Sequence, residues 1–150
     1  MIKGVIVKKL NKFEDERGWL MEIFRSDEDG CNPLMSYISL TKPDVIRGPH
    51  EHKFQADLFI FPGPGNFELH LWDNRQDSAA KGEYLKIEAG ENNPVSVLVP
   101  PGVVHGYKCV SESSAFSINL PDKLYKGENK KEEIDEIRWE KDPNSPFKII

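Results

Sequence analysis

Short apolar runs recur along the whole chain, and several of them alternate with polar residues. The runs are four to six residues long, are rich in Val, Ile, Phe, Tyr and Leu, and end at Gly, Pro, Asn or Asp. Such runs predict strands, here Gly4–Val7, Trp19–Phe24, Met35–Leu40, Ala56–Phe61, Phe67–Leu71, Tyr84–Ile87, Val95–Val99, Tyr107–Val110 and Ala115–Leu120. In the fifth run, Phe67, Leu69 and Leu71 share one face because side chains alternate along a strand. Many short strands between turns favour an all-β sandwich or barrel.

The C-terminal stretch departs from this pattern. Lys126–Lys141 is dense in charge and is interpreted as a solvated tail over the barrel, with one short helix predicted near Lys130–Arg138. No internal repeat or linker interrupts the chain, and 150 residues is the size of one domain. We therefore predict a single domain over residues 1–150 with a short helical or irregular C-terminal tail.

Composition excludes several classes of protein. The net charge of −5 and the pI near 5.4 argue against duplex nucleic acid as a partner, although a small anionic ligand needs only a few basic side chains. No apolar run approaches the roughly 20 residues of a membrane span. Cys31 and Cys109 lie far apart without a CxxC motif, which excludes a four-cysteine zinc site and makes the cytoplasm the expected location.

The histidines carry the candidate chemistry. His50 and His52 form an HxH motif, Asp57 follows them, and His105 closes a PxGxxH motif at Pro100–His105. Residues i and i+2 of a strand point to the same side, so His50 and His52 can project together into a barrel. With Asp57 and His105 they could bind Zn, Fe, Mn or Ni. The two motifs together favour a cupin-type double-stranded β-helix, which is a jelly-roll barrel.

Several segments resemble those of one enzyme family, in consistent order along the chain. They are Asp15–Arg25, similar to a DxRGxFxExFR opening; Val45–His50, similar to VxRGxH; Gln55-Ala56; Leu71–Arg75; Val99–Tyr107; and a C-terminal set of Tyr125, Glu136, Trp139 and Asp142-Pro143. On these segments the chain resembles the dTDP-4-dehydrorhamnose 3,5-epimerase (RmlC-like) family. The resemblance implies a homodimeric, cofactor-independent cupin that epimerises a nucleotide-linked 4-keto-6-deoxysugar in polysaccharide or deoxysugar biosynthesis.

The resemblance also implies roles for individual residues. His50 matches the family's base, Tyr125 its acid, and His105 a pocket histidine near the reacting carbonyl. Arg17 and Arg47 match two arginines that hold the diphosphate. Glu22 and Phe24 match two residues beside the nucleotide base. The implied chemistry is proton transfer through an enolate, because a ketone acidifies the neighbouring C–H bonds and histidine is a suitable base near neutral pH.

The pocket of this chain departs from the family pattern. Asp57 stands where the family has a lysine, and His52 stands where it has a glutamine. Met35–Thr41 lacks the glutamine and asparagine of the family's Q-x-N-x-S-x-S segment. The chain also stops before the C-terminal segment that supplies an aspartate beside the base, so His50 is expected to need another partner.

These departures keep two other functions open. In one, His50, His52, Asp57 and His105 bind one divalent metal ion and catalyse an unrelated reaction; in the other, the chain binds a nucleotide sugar without catalysis. Single residues also have alternative interpretations. Asp57 could be a metal ligand, the partner of His50 or a surface carboxylate, and Arg17 and Arg47 could form structural ion pairs with residues such as Asp15 or Glu22. Tyr125 could be a hydrophobic contact of the tail, and His70 is interpreted as a packing residue of the sheet.

Overall fold

Twelve strands make up almost all of the regular structure in the computed structural model, which describes residues 2–150. The strands are β1 (Ile6–Lys9), β2 (Lys12–Asp15), β3 (Gly18–Met21), β4 (Tyr37–Thr41), β5 (Ile46–Glu51), β6 (Asp57–Phe61), β7 (Asn66–Asp73), β8 (Tyr84–Gly90), β9 (Val95–Val99), β10 (Val103–Cys109), β11 (Ala115–Pro121) and β12 (Ile137–Arg138). Two short 3-10 helices lie at Glu128–Lys130 and Trp139–Lys141. The predicted all-β class is confirmed, and within the described residues no helix has the length and apolar character needed to cross a membrane.

The strands form two five-stranded antiparallel sheets and one separate hairpin. Sheet A has the order β1-β9-β6-β11-β4, sheet B has the order β12-β5-β10-β7-β8, and β2 pairs with β3. From β4 to β11 the chain passes repeatedly from one sheet to the other, so most neighbouring strands are distant in the sequence. This alternation between two sheets is the arrangement of a jelly roll.

Apolar side chains from both sheets fill the space between them. Phe67, Leu69 and Leu71 are fully buried, which confirms the face predicted from their alternation. Burying a side chain of this size contributes about 1.5–3 kcal/mol. The ring of Phe59 lies 5.3 Å from the ring of His105, centroid to centroid. The apolar core therefore ends where a polar cluster begins.

The strand that carries the HxH motif contains a glycine and a proline, so the apolar pattern does not predict it. β5 includes Gly48-Pro49, and these residue types normally mark the end or edge of a strand. Gly48 has a φ of +82°, and a Cβ atom there would lie 2.8 Å from the carbonyl oxygen of His105. Glycine is therefore needed at this position for β5 to approach β10.

The prediction of a short helix near Lys130–Arg138 is wrong. This part of the chain forms a single 3-10 turn at Glu128–Lys130 and the short strand β12. Asn129 has a φ of 55°, outside the right-handed helical region, and no apolar stripe holds the segment against a core as a helix would require. Instead, β12 pairs with β5, with Arg138 opposite His50. The tail is thereby placed beside the HxH strand.

Candidate active site

Four side chains from three parts of the chain meet between the two sheets. His50 lies on β5 and His52 follows that strand, Asp57 begins β6, and His105 lies on β10. β5 and β10 are neighbours in sheet B, with His50 opposite His105, whereas β6 belongs to sheet A. One nitrogen or oxygen atom from each of the four side chains lies within 4.8 Å of the others. We call these residues the histidine–aspartate cluster.

Asp57 is the buried centre of this cluster. It is 1% exposed, and its Oδ2 atom lies 3.2 Å from His52 Nε2 and 3.3 Å from His105 Nε2. Its Oδ1 atom accepts hydrogen bonds from Gln55 Nε2 (2.9 Å) and Asn119 Nδ2 (2.8 Å). Burial raises the pKa of Asp57, but the contacts with His105 and His52 outweigh burial and hold the pKa well below its ordinary value. The carboxylate is therefore charged, and its interpretation as a surface group is wrong.

His52 is one of the two histidines that contact Asp57. Its Nδ1 atom is hydrogen bonded to the backbone carbonyl oxygen of Asp135, so that Nε2 faces the carboxylate. Burial lowers the pKa of His52, but the contacts with Asp57 and Asp135 raise it overall. His105 Nδ1 donates to the carbonyl oxygen of Val103 at 3.0 Å, and its Nε2 atom is buried near Asp57 without a well-aligned hydrogen bond. Both histidines thus direct Nε2 towards the Asp57 carboxylate.

His50 differs from His52 because it is uncharged. Burial lowers the pKa of His50, and the neighbouring His105 and His52 lower it further, to about 2. Its Nδ1 atom is 3.9 Å from Oε1 of Glu136, and Arg138 Nε donates to the other oxygen of that carboxylate at 2.5 Å. The imidazole can therefore accept a proton, and the Glu136 carboxylate lies where it can stabilise the imidazolium that then forms.

The C-terminal segment brings Glu136 to the site and is fastened there by Asp135. The Asp135 carboxylate accepts hydrogen bonds from three successive backbone N–H groups: Lys53 (2.9 Å), Phe54 (2.8 Å) and Gln55 (3.0 Å). Burial raises the pKa of Asp135, and these three bonds lower it overall. Further along the chain, Trp139 Nε1 donates to Glu51 Oε1 at 3.2 Å. The Glu136 carboxylate therefore reaches His50 from within this chain.

Two polar residues of sheet A extend the cluster, and sequence reasoning missed both. Asn119 on β11 donates through Nδ2 to Asp57 Oδ1 and also to the hydroxyl oxygen of Tyr37, at 2.8 and 2.9 Å. Tyr37 begins β4, directly opposite Asn119. The available signal for Tyr37 was its position, since it stands where the family's Q-x-N-x-S-x-S segment has its asparagine.

Arg47 and Tyr125 lie outside the histidine–aspartate cluster. Arg47 on β5 donates to Thr41 Oγ1 at 2.9 Å and to the carbonyl oxygen of Leu40 at 3.0 Å, which ties β5 to β4. Tyr125 is 47% exposed, and its hydroxyl has no hydrogen-bond partner among residues 2–150. Arg138, which pairs with His50 across β12 and β5, also lies near Tyr125.

The other predicted binding residues lie on or beyond the β2–β3 hairpin. Arg17 pairs with Asp15 in the hairpin turn, which is the structural ion pair considered from the sequence. Glu22 lies 3.6 Å from Arg25, and Phe24 packs against a small apolar cluster of sheet A. Within the described part of the chain, these residues make no contact with the histidine–aspartate cluster. His70 is hydrogen bonded to the Tyr84 hydroxyl at 2.8 Å inside sheet B, in agreement with its predicted role in the sheet.

Comparisons with known proteins agree with the motifs. The family model described as dTDP-4-dehydrorhamnose 3,5-epimerase matches residues 1–145. The chain is 42% identical over 114 residues to the spore coat polysaccharide biosynthesis protein SpsL of Bacillus subtilis (strain 168), with 75% of each chain covered. It is 38% identical over 135 residues to the probable low-salt glycan biosynthesis epimerase Agl13 of Haloferax volcanii, with 88% of this chain and 86% of that protein covered.

The solved structures identify the fold. The dTDP sugar isomerase of Desulfovibrio desulfuricans G20 matches with a TM-score of 0.84 over 98% of this chain and 91% of that chain, at 21% identity. This likeness confirms the predicted cupin-type jelly roll. Since the family model matches nearly the whole length and two curated relatives agree with it, the chain belongs to the dTDP-4-dehydrorhamnose 3,5-epimerase family, a family of sugar-nucleotide isomerases.

Proposed function

We propose that this protein epimerises a nucleotide-linked 4-keto-6-deoxysugar in polysaccharide or deoxysugar biosynthesis, with His50 as the base. The observation that carries the proposal is an uncharged, largely buried His50 beside the Glu136 carboxylate. A base must be unprotonated and held in place before it removes a proton from carbon. Membership of the epimerase family supports the same chemistry.

The proposed reaction is a pair of proton transfers. His50 removes the proton from a carbon beside the ketone, and the C–H electrons move into the carbonyl to give an enolate. A hydrogen-bond donor at the negative oxygen stabilises the enolate, since such donors are effective in a buried site. Tyr125, the acid implied by the family motif, gives its proton to the opposite face and regains one from solvent, while His50 releases to solvent the proton it had removed. No atom is gained or lost, so the reaction as proposed needs no cofactor.

Solvent deuterium wash-in tests this function. In heavy water, EDTA-treated protein should add one mass unit to dTDP-4-keto-6-deoxyglucose for each carbon that exchanges. His50→Ala should abolish the gain because, among residues 2–150, His50 is the histidine that lies beside Glu136. His70→Ala, which removes a histidine bonded to Tyr84 instead, is the matched control and should exchange like the unaltered protein. If the substrate gains no more mass with the unaltered protein than with His50→Ala, the proposal is rejected.

A metal-dependent reaction is the second candidate, and the 4.8 Å spacing within the histidine–aspartate cluster favours it. Three imidazoles and one carboxylate are ligands that Zn²⁺ and other divalent transition metals accept. One divalent ion per chain after purification without chelator, lost from both His50→Ala and His52→Ala, would support this candidate over the cofactor-independent one. Tight binding of the nucleotide sugar without any exchange would instead identify a binding module.

We also propose that the protein is a cytoplasmic homodimer. Phe13 and Leu20 lie opposite each other on one face of the β2–β3 hairpin, and each is more than half exposed. An exposed apolar pair of this kind favours an interaction surface. Cys31 and Cys109 are unpaired, in keeping with a reducing compartment. Light scattering should give a mass about twice the 17.1 kDa of one chain, and Leu20→Lys should lower it towards the monomer by placing charge in the interface. A monomeric mass for the unaltered protein would contradict the dimer.

A further inference from the structure

The proposed epimerisation has a geometric requirement that the position of Tyr37 satisfies. Inverting a carbon needs a proton to leave from one face of the sugar and another to arrive at the opposite face. His50 lies on sheet B, whereas Tyr37 lies on β4, the edge strand of sheet A. A substrate that reaches the histidine–aspartate cluster between the sheets would therefore have these two groups on different sides.

The chain direction places the two residues towards the same end of the space between the sheets. β4 and β5 are consecutive strands joined by a short loop, and Arg47 of β5 is hydrogen bonded to Thr41 of β4. The contact joins the end of β4 to the beginning of β5, so the two strands run in opposite directions. Tyr37 at the start of β4 is consequently level with His50 near the end of β5. Charges at both Asp57 and Glu136 influence the Tyr37 hydroxyl, which places it near both carboxylates of the site.

The hydrogen bonds of Asn119 fix the direction of the Tyr37 hydroxyl. The Asn119 amide must turn its Nδ2 atom, and not its oxygen, towards the charged Asp57, and the same Nδ2 donates to the Tyr37 hydroxyl oxygen at 2.9 Å. Because the hydroxyl accepts this bond, its own proton points elsewhere. No acceptor for that proton lies among residues 2–150, so the proton is free for a ligand.

The raised pKa of Tyr37 also keeps its hydroxyl protonated. Burial raises the pKa of Tyr37, the bond from Asn119 lowers it slightly, and Asp57 raises it again, to about 12. The residue as a whole is nevertheless about half exposed, so a substrate can reach it. Tyr125, the donor implied by the family motif, has no comparable bond to the cluster.

We propose that Tyr37 is a second proton donor of this site, acting from sheet A on the face of the sugar opposite His50. This inference rests on the proposed epimerase function. The enolate carbon takes the hydroxyl proton, the enolate electrons form the new C–H bond as the carbonyl is restored, and the phenolate left on Tyr37 regains a proton from solvent. His50 gives up the proton it had removed, so the enzyme returns to its starting state.

Tyr37→Phe separates proton removal from proton return. In heavy water, this variant should still exchange deuterium into recovered substrate through His50, while inversion of at least one ring carbon, followed by NMR, slows by about 100-fold or more, which is the usual contribution of a general acid. Tyr125→Phe measures the share of the other donor. Tyr84→Phe, which removes a hydroxyl bonded to His70 outside the cluster, is the matched control and should leave both rates unchanged.

The outcomes are distinguishable. Inversion of both carbons at the unaltered rate in Tyr37→Phe would overturn the inference, and so would loss of exchange together with inversion, because Tyr37 would then act before any proton is returned. If the unaltered protein neither exchanges nor inverts, the proposed epimerase function fails instead. Equal thermal unfolding temperatures for Tyr37→Phe and Tyr84→Phe would establish that the fold is retained in the comparison.

Discussion

Asp57→Asn is expected to lower the free energy of unfolding by about 3 kcal/mol and the rate of epimerisation by about 1000-fold. All four neighbours of this carboxylate are nitrogen atoms, two from histidines and two from side-chain amides. An asparagine would have to turn its own NH2 group towards two of them. It would also remove the buried negative charge that raises the pKa of His52, and removing one partner of a buried polar pair is costly.

Urea unfolding and wash-in kinetics on the same preparations check this expectation. Asp44→Asn is the matched control, because Asp44 is exposed and asparagine tolerates its positive φ of 60°. That variant should stay within about 0.5 kcal/mol of the unaltered protein. Equal stability of Asp57→Asn and Asp44→Asn would mean that the pairing of Asp57 with His52 contributes no net stability.

Glu136→Gln should slow epimerisation by about 100-fold while leaving the stability unchanged. The glutamine has almost the same shape but carries no charge, so it can neither orient His50 as firmly nor stabilise the imidazolium that forms on proton removal. The bonds from Asp135 to the 53–55 backbone would still hold the segment in place.

Glu133→Gln is the control for the loss of one negative charge from the same segment. Glu133 is exposed and lies on the same stretch as Glu136. A similar slowing in both variants would show that overall charge matters and that the contact with His50 does not. A large fall in stability of Glu136→Gln would mean that Glu136 holds the tail and that its effect on the rate is indirect.

Local patterns in the sequence account for the part of the fold and site that could be predicted. Val95–Val99 is predicted and observed with the same ends, because it is a buried apolar run with prolines on both sides. The HxH and PxGxxH motifs each lie within a few residues, so the meeting of His50, His52 and His105 follows once the barrel is assumed. The strand β5 escapes prediction because Gly48 and Pro49, which its close packing requires, are turn signals in any local window.

The rest of the site depends on contacts between distant parts of the chain. The bond from Asn119 to Asp57 spans 62 residues, and the bond from the Lys53 backbone to Asp135 spans 82. Nothing in the charged stretch around Asp135 and Glu136 distinguishes these two carboxylates from their solvated neighbours. Their roles follow from the tertiary structure, where β12 pairs with β5 and overrides the weak local preference for helix.

The fastening of the tail by Asp135 has a consequence for synthesis on the ribosome. The strands of both sheets up to β11, with the three histidines and Asp57 of the histidine–aspartate cluster, are translated before the segment that carries Asp135 and Glu136. Because domains begin to fold from the N-terminal side as the nascent chain emerges, the barrel can close while that segment is still inside the exit tunnel. The nascent protein would then hold an assembled base without its carboxylate. Under the proposed mechanism, full activity begins only when translation has delivered the tail, so the enzyme acts on its substrate after its own synthesis has passed this point.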